Sequence, residues 1–224
     1  MAHMRLIIFD LDGTLVDSQA TIVACTRSGF AAEGLEPPPA QAIRRIIGLS
    51  LVKAMEVLLG RSDPVLAARI AEGYRAAFQI RRNDPTLQEP LFPGSRAMLE
   101  DLSRRGLIMG VATGKSMRGV HSMLTTHDLG GFFTTLQAAD GHPSKPHPSM
   151  LIEAMAETGV APEQTAMIGD TSYDMEMAKA AGVRPIGVDW GNHDRSDLLQ
   201  AGAVSILSNW QELTPALGLH MAAT

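Results

Sequence analysis

In Leu6-Ile7-Ile8-Phe9-Asp10-Leu11-Asp12-Gly13-Thr14, four apolar residues run into two carboxylates spaced two apart. A short run with no polar alternation is the mark of a strand buried on both faces, as in a parallel sheet. On an extended chain Asp10 and Asp12 share a face. Gly13 then permits the sharp turn that sends the chain elsewhere.

Working outward, four more segments have the same character: 107–112, 133–137, 165–168 and 183–188. Between them lie helical patterns over 95–105, 116–129, 148–157 and 172–181, several closed by a glycine (Gly106, Gly159, Gly182). Strands alternating with helices of this length imply right-handed crossovers in a doubly wound α/β sheet. One stretch breaks the alternation. Residues 16–89 show helical periodicity and no strand, with helices expected over 18–33, 40–47, 50–59 and 64–82 and a rigid turn at Pro37-Pro38-Pro39. The return from 85 to 93 is turn-rich. The expected organisation is therefore a core of 1–15 plus 90–224 and an inserted all-helical cap of 16–89.

Bulk properties restrict the function classes. The 224 residues hold 19 basic and 24 acidic side chains, a net charge of -5. That balance gives no electrostatic reason for a nucleic acid or an anionic membrane as partner. No apolar run is long enough to span a bilayer. The single cysteine, Cys25, can form no intramolecular disulfide, which predicts a reducing, cytoplasmic setting and a buried hydrophobe rather than a nucleophile. Met1-Ala2-His3-Met4-Arg5 lacks signal-peptide anatomy, and the second methionine suggests a natural start at Met4.

In an open α/β sheet, ligands bind beyond the carboxyl ends of the strands. There the sequence sets Asp10 and Asp12, then Thr113-Gly114-Lys115, then Lys145-Pro146-His147-Pro148, then Gly169-Asp170 with Asp174 four residues on. Such a set suits phosphoryl transfer. A carboxylate can attack phosphorus only if the repulsion between two anions is neutralised, and Mg²⁺ does this through oxygen ligands. Asp10 and Asp170 can supply those ligands, with the backbone carbonyl of Asp12 as a third. Lys145 and the Thr113 hydroxyl would meet the phosphoryl oxygens. Asp10, held at the metal, is the expected nucleophile; Asp12, further away, the expected acid/base. Asp17-Ser18 is the expected N-cap of the first cap helix, and Lys115 is read as touching either phosphate or solvent. Arg44, Arg45, Lys53 and Arg81-Arg82 are read as mostly solvated, with one or two free to reach an anionic substrate tail.

Asp10-Leu11-Asp12-Gly13-Thr14-Leu15-Val16-Asp17-Ser18 resembles the first motif of the haloacid dehalogenase superfamily. Thr113, Lys145-Pro146 and Gly169-Asp170-Thr171-Ser172-Tyr173-Asp174 resemble its other three, in order, and the helical insert resembles the cap of the phosphoglycolate phosphatase-like branch. The resemblance implies a Rossmann-like core, Mg²⁺ and an aspartyl-phosphate intermediate. It makes Asp10 nucleophile, Asp12 acid/base, Thr113 and Lys145 phosphate binders and Asp170 a metal ligand. Asp174 becomes a ligand through water or a partner holding Lys145; as a bare sequence feature it also suits a first-turn acid. Two departures concern the substrate: Gly114 stands where that branch often has Asn, and Asn192-His193 follow Gly191 in place of a different loop.

The resulting expectation is a phosphatase, monomer or homodimer, acting on a small phosphorylated metabolite, with phosphoglycolate as lead substrate. A sugar phosphate, a nucleoside monophosphate and pyrophosphate stay open. So do a sugar phosphomutase using the same two aspartates, a phosphonate hydrolase with Lys53 as its Schiff-base lysine, and a non-catalytic phosphate-binding module. A dehalogenase is disfavoured by Asp12.

Overall fold

The computed structural model describes residues 4–82, 84 and 88–219. The readings of Met1 to His3 and of the return through Pro85 fall outside the described residues. Six parallel strands form one sheet: β1 (Leu6–Phe9), β2 (Ile108–Thr113), β3 (Thr135–Ala138), β4 (Thr165–Gly169), β5 (Arg184–Val188) and β6 (Ser205–Leu207), in the order β3-β2-β1-β4-β5-β6. β1 is central, and chain order reverses around it, which puts a crevice beyond its carboxyl end.

β1 shows why an unbroken apolar run was needed. Ile7 and Phe9 point into one core layer, Leu6 and Ile8 into the other, and all four are fully buried. Each such side chain contributes roughly 1.5–3 kcal/mol through burial. One layer is closed by α5 (Ser95–Arg104), α6 (Met117–Thr126) and the short α10 (Leu213–Ala216), the other by α7 (Ser149–Thr158) and α8 (Ser172–Ala181). A further helix, α9 (Arg195–Ala201), leads into β6.

Between β1 and β2 lie α1 (Gln19–Ala32), α2 (Ala40–Arg44), α3 (Leu51–Leu59) and α4 (Pro64–Arg82). They bury a core of their own, built on Phe30, Ile43, Met55 and Ile70. The helix expected over 40–47 stops at Arg44, and the chain turns through 45–48 instead. Two strands of connection join the insert to the core side by side. Asp17 N donates to Pro90 O at 2.9 Å, Phe92 N to Leu15 O at 3.0 Å, and Val16 bridges Leu91. No helix among the described residues is long and apolar enough to cross a membrane.

The sequence reading ended its regular elements at Val188 and missed α9 and β6. Both are too short, seven and three residues, to show a period of their own.

Candidate active site

The carboxyl ends of β1, β2 and β4 and the loop before α7 converge. Asp10 follows β1 directly, buried, its Oδ1 accepting from Leu11 N at 2.7 Å. Lys145 Nζ reaches that oxygen at 3.2 Å and Asp174 Oδ1 at 2.6 Å, all three side chains being buried. Asp174 also completes a capping box at the start of α8, its Oδ2 accepting from Thr171 N and Oγ1. Two of the three sequence readings of Asp174 thus describe one side chain: a helix-terminus acid that holds Lys145.

Asp170, at the end of β4, accepts from Thr14 Oγ1 at 3.0 Å on one oxygen, and from Asn192 N and Nδ2, both at 2.8 Å, on the other. Gly13 lies against it with φ 88°, and a Cβ there would collide with the Asp170 carboxylate and the Asn192 amide. Only glycine satisfies both the backbone angle and the approach. Asn192 also accepts from Gln19 Nε2 of α1 at 3.0 Å, tying the insert to the same cluster.

Asp12 faces another group. Its Oδ1 accepts from Ser18 Oγ at 2.5 Å and lies 3.0 Å from Lys115 Nζ. This bears on two expectations. Ser18 stands at the N-cap position of α1, but its hydroxyl holds Asp12 and caps nothing. Lys115 is turned from solvent to Asp12 while it lines the cavity. Burial alone would lower the Lys115 pKa, but Asp12 and Glu89 together raise it above its ordinary value.

Electrostatics favour a cation at the aspartate cluster. Asp10, Asp170 and Asp174 each offer an oxygen within 4.8 Å of the others. Burial pushes Asp10 up to about 8, against the pull of Lys145, and Asp170 up to about 7. Burial would also depress Lys145, but Asp10 and Asp174 outweigh it and hold the ammonium above its ordinary range. Asp10 Oδ2 is buried and has no hydrogen-bond partner among the described residues. A buried carboxylate oxygen left over beside a second carboxylate fits a hard, oxygen-seeking divalent ion such as Mg²⁺. Both oxygens of Asp174 and of Asp170 already accept hydrogen bonds, so among the described residues Asp10 Oδ2 is the one unpartnered oxygen of the three carboxylates.

Asp10 and Asp12 open onto a cavity of about 340 Å³ between core and insert, also lined by Thr113, Gly114 and Lys115. The Thr113 hydroxyl accepts from Lys115 N at 3.3 Å. Gly114 has no room for a larger residue: a Cβ would stand 2.5 Å from the carbonyl oxygens of both Gly48 and Leu49. In the Gly48-Leu49-Ser50 turn, Ser50 N donates to Ser144 Oγ at 2.9 Å.

Three residues given no site role by the sequence thus touch its aspartates, Thr14, Ser18 and Asn192, and Lys115 joins them as a carboxylate partner. His193 is a fifth, at one remove. Its Nδ1 accepts from Ser172 N, so Nε2 carries the hydrogen donated to Arg45 O at 3.1 Å. Tyr173 OH donates to the same carbonyl at 3.0 Å, while the Arg45 guanidinium faces Asp194 and Asp197. Arg45 therefore fastens insert to core and is not a substrate contact. Lys53 pairs with Glu56 at 3.2 Å on an exposed face and does not line the cavity, which removes it as a Schiff-base candidate. Arg82 does line the cavity. Cys25 is buried, its thiol pushed up to about 11 by burial, as expected of an inert cysteine.

A family model for haloacid dehalogenase-like hydrolases matches residues 7–188. A Dickeya dadantii protein named "probable phosphatase IndB" is 36% identical over 94% of this chain and 92% of its own. A Pseudomonas putida phosphoglycolate phosphatase is 33% identical over 85% and 72%. Among solved structures, a haloacid dehalogenase-like family hydrolase from Streptococcus pneumoniae superposes with a TM-score of 0.82 at 28% identity, covering 96% of this chain and 99% of that one.

Proposed function

The chain belongs to the haloacid dehalogenase-like hydrolases and is a phosphatase, and from that premise we propose that it cleaves a small phosphomonoester through a phosphorylated Asp10 with bound Mg²⁺. The observation that carries this reading is the buried, unpartnered Asp10 Oδ2 beside Lys145 and Asp170.

Asp10 and Asp170 would hold the magnesium ion, with the Asp12 carbonyl as a further donor. The ion would neutralise charge between the attacking carboxylate and the phosphoryl group. The remaining steps belong to side chains. Lys145, fixed by Asp174, aligns Asp10 and offers its ammonium to the phosphoryl oxygens, joined by Thr113 and the backbone N–H groups after β2. An Asp10 oxygen bonds to phosphorus as the bond to the ester oxygen breaks. Asp12 gives that oxygen its proton, so an alcohol leaves. Ser18 and Lys115 fix Asp12 by one oxygen and leave the other to carry the proton. Water then attacks phosphorus, Asp12 takes its proton, the bond between phosphorus and the Asp10 oxygen breaks, and inorganic phosphate leaves the free Asp10 carboxylate.

The insert, proposed as a cap over 16–89, covers this chemistry and excludes bulk water through the Arg45, Ser50 and Gln19 contacts. Two relatives are named phosphoglycolate phosphatase, which makes phosphoglycolate the reference ester against which others are compared. The test is phosphate release from a set of phosphorylated metabolites. EDTA should stop it and Mg²⁺ restore it. Asp10→Asn should lower it roughly 10³-fold or more while the circular dichroism spectrum stays unchanged. Near-full activity in that variant would exclude Asp10 as nucleophile.

A further inference from the structure

We propose that the insert side of the cavity is a leaving-group subsite for a ring-sized, largely apolar alcohol bearing a hydrogen-bonding group. The substrate is then the phosphomonoester of such an alcohol and not of a two-carbon acid. This rests on the phosphatase reading and narrows it.

Three features of the cavity carry the proposal. Its volume, about 340 Å³, falls in the range of pockets that enclose whole small molecules, roughly 300–1,000 Å³. The cavity is open to solvent, so its apolar face gains contacts when a ligand displaces water from it. The wall is apolar and partly aromatic: Ile22, Met55, Tyr74 and Phe78, the last two rings parallel within 6° at 6.3 Å. A flat body can lie along such a wall.

The third feature is Thr26, which lines the same cavity from α1. It is fully buried, and its hydroxyl has no partner among the described residues. An unmet buried hydroxyl costs about 1–3 kcal/mol, and a ligand that parts the wall enough to reach it recovers that cost. A glycolate carboxylate fits this wall poorly. Its charge would have to turn from this apolar face toward Lys115, 5.9 Å over the Phe78 ring, or toward the exposed Arg75, Arg82 and Arg118. Those cations suit attraction of the phosphate to the mouth.

The experiment compares matched esters on the Mg²⁺-loaded enzyme. Phenethyl phosphate should exceed both ethyl phosphate and phosphoglycolate in kcat/KM by about tenfold or more. A hydroxyl on the ring, as in hydroxyphenethyl phosphate, should add to this in the wild type. In Thr26→Val that added preference should vanish while the melting temperature holds or rises, since an unsatisfied hydroxyl is removed. If phosphoglycolate or ethyl phosphate matches the ring ester, or Thr26→Val keeps the hydroxyl preference, the subsite is wrong and the phosphatase reading stands. If no ester is hydrolysed, that reading falls, and calorimetry with phenethylphosphonate against ethylphosphonate decides the subsite separately. Tighter binding of the ring compound by about tenfold or more sustains it, and equal binding overturns it.

Discussion

The Lys145 ammonium lies 3.2 Å from the Asp10 carboxylate with both side chains buried, and Asp174 grips the same nitrogen at 2.6 Å. A lysine taken from water can stay charged only because two carboxylates face it, and they in turn depend on it. Lys145→Met should therefore do more than remove a phosphate contact. It leaves buried carboxylates without their cation, and the variant should lose roughly 3–5 kcal/mol of stability. Urea denaturation of the metal-free protein gives this number directly. A loss under about 1 kcal/mol would show that the ion pair contributes little to the fold.

The same cluster sets a pH dependence. Asp10 at about 8 and Asp170 at about 7 both lie above their ordinary value of 3.8. Between those limits the folded protein keeps protons that the unfolded chain has released, so stability falls as pH rises. His193, lowered by burial from 6.5, acts in the opposite sense below that pH, so the clean window is 6.5 to 8. In EDTA the melting temperature should fall across this window. Saturating Mg²⁺ should flatten the slope and, at a hundredfold excess over its Kd, add about 2.7 kcal/mol. A melting temperature that rises with pH in EDTA would contradict the assigned shifts.

Asn192 deserves its own substitution because it donates twice to one Asp170 oxygen. Its backbone bond survives Asn192→Ala, while the side-chain bond and the link to Gln19 are lost. Partners that orient a metal-ligating carboxylate change affinity by roughly 10–100-fold. The variant should bind Mg²⁺ more weakly within that range, by titration calorimetry, with its fold retained. Unchanged affinity would mean that Thr14 and the backbone suffice.

These residues also show where sequence reading stops. Leu6-Ile7-Ile8-Phe9 announces a central strand because both faces are buried, and that requirement is written into every residue. The four stretches ending at Asp10, Thr113, Lys145 and Asp170 were legible as one site because the topology must bring strand ends to one edge. Asn192 and Ser18 were not, since nothing local distinguishes an amide or hydroxyl that reaches a carboxylate from one that caps a helix. The pairing of Lys115 with Asp12 spans 103 positions and depends on side-chain reach, which no periodicity encodes.

Gly114 joins these threads, because its missing side chain is what lets the insert close. The carbonyl oxygens of Gly48 and Leu49 occupy the space where a Cβ would stand, at 2.5 Å. Both are backbone atoms and cannot swing aside, so Gly114→Asn must move the 48–50 turn away from β2. An asparagine, which the resembling branch often carries at this position, would be no restoration here. It should loosen the Ser50 contact to Ser144, admit water to Asp10 and lower kcat/KM by about tenfold or more, since displacements near 1 Å at a reacting site can cost 10²-fold. Stability should change little, because the core beneath Gly114 is untouched. Phosphate release and denaturation measured together decide the point: full activity in Gly114→Asn would mean that the turn at 48–50 yields without effect on the site.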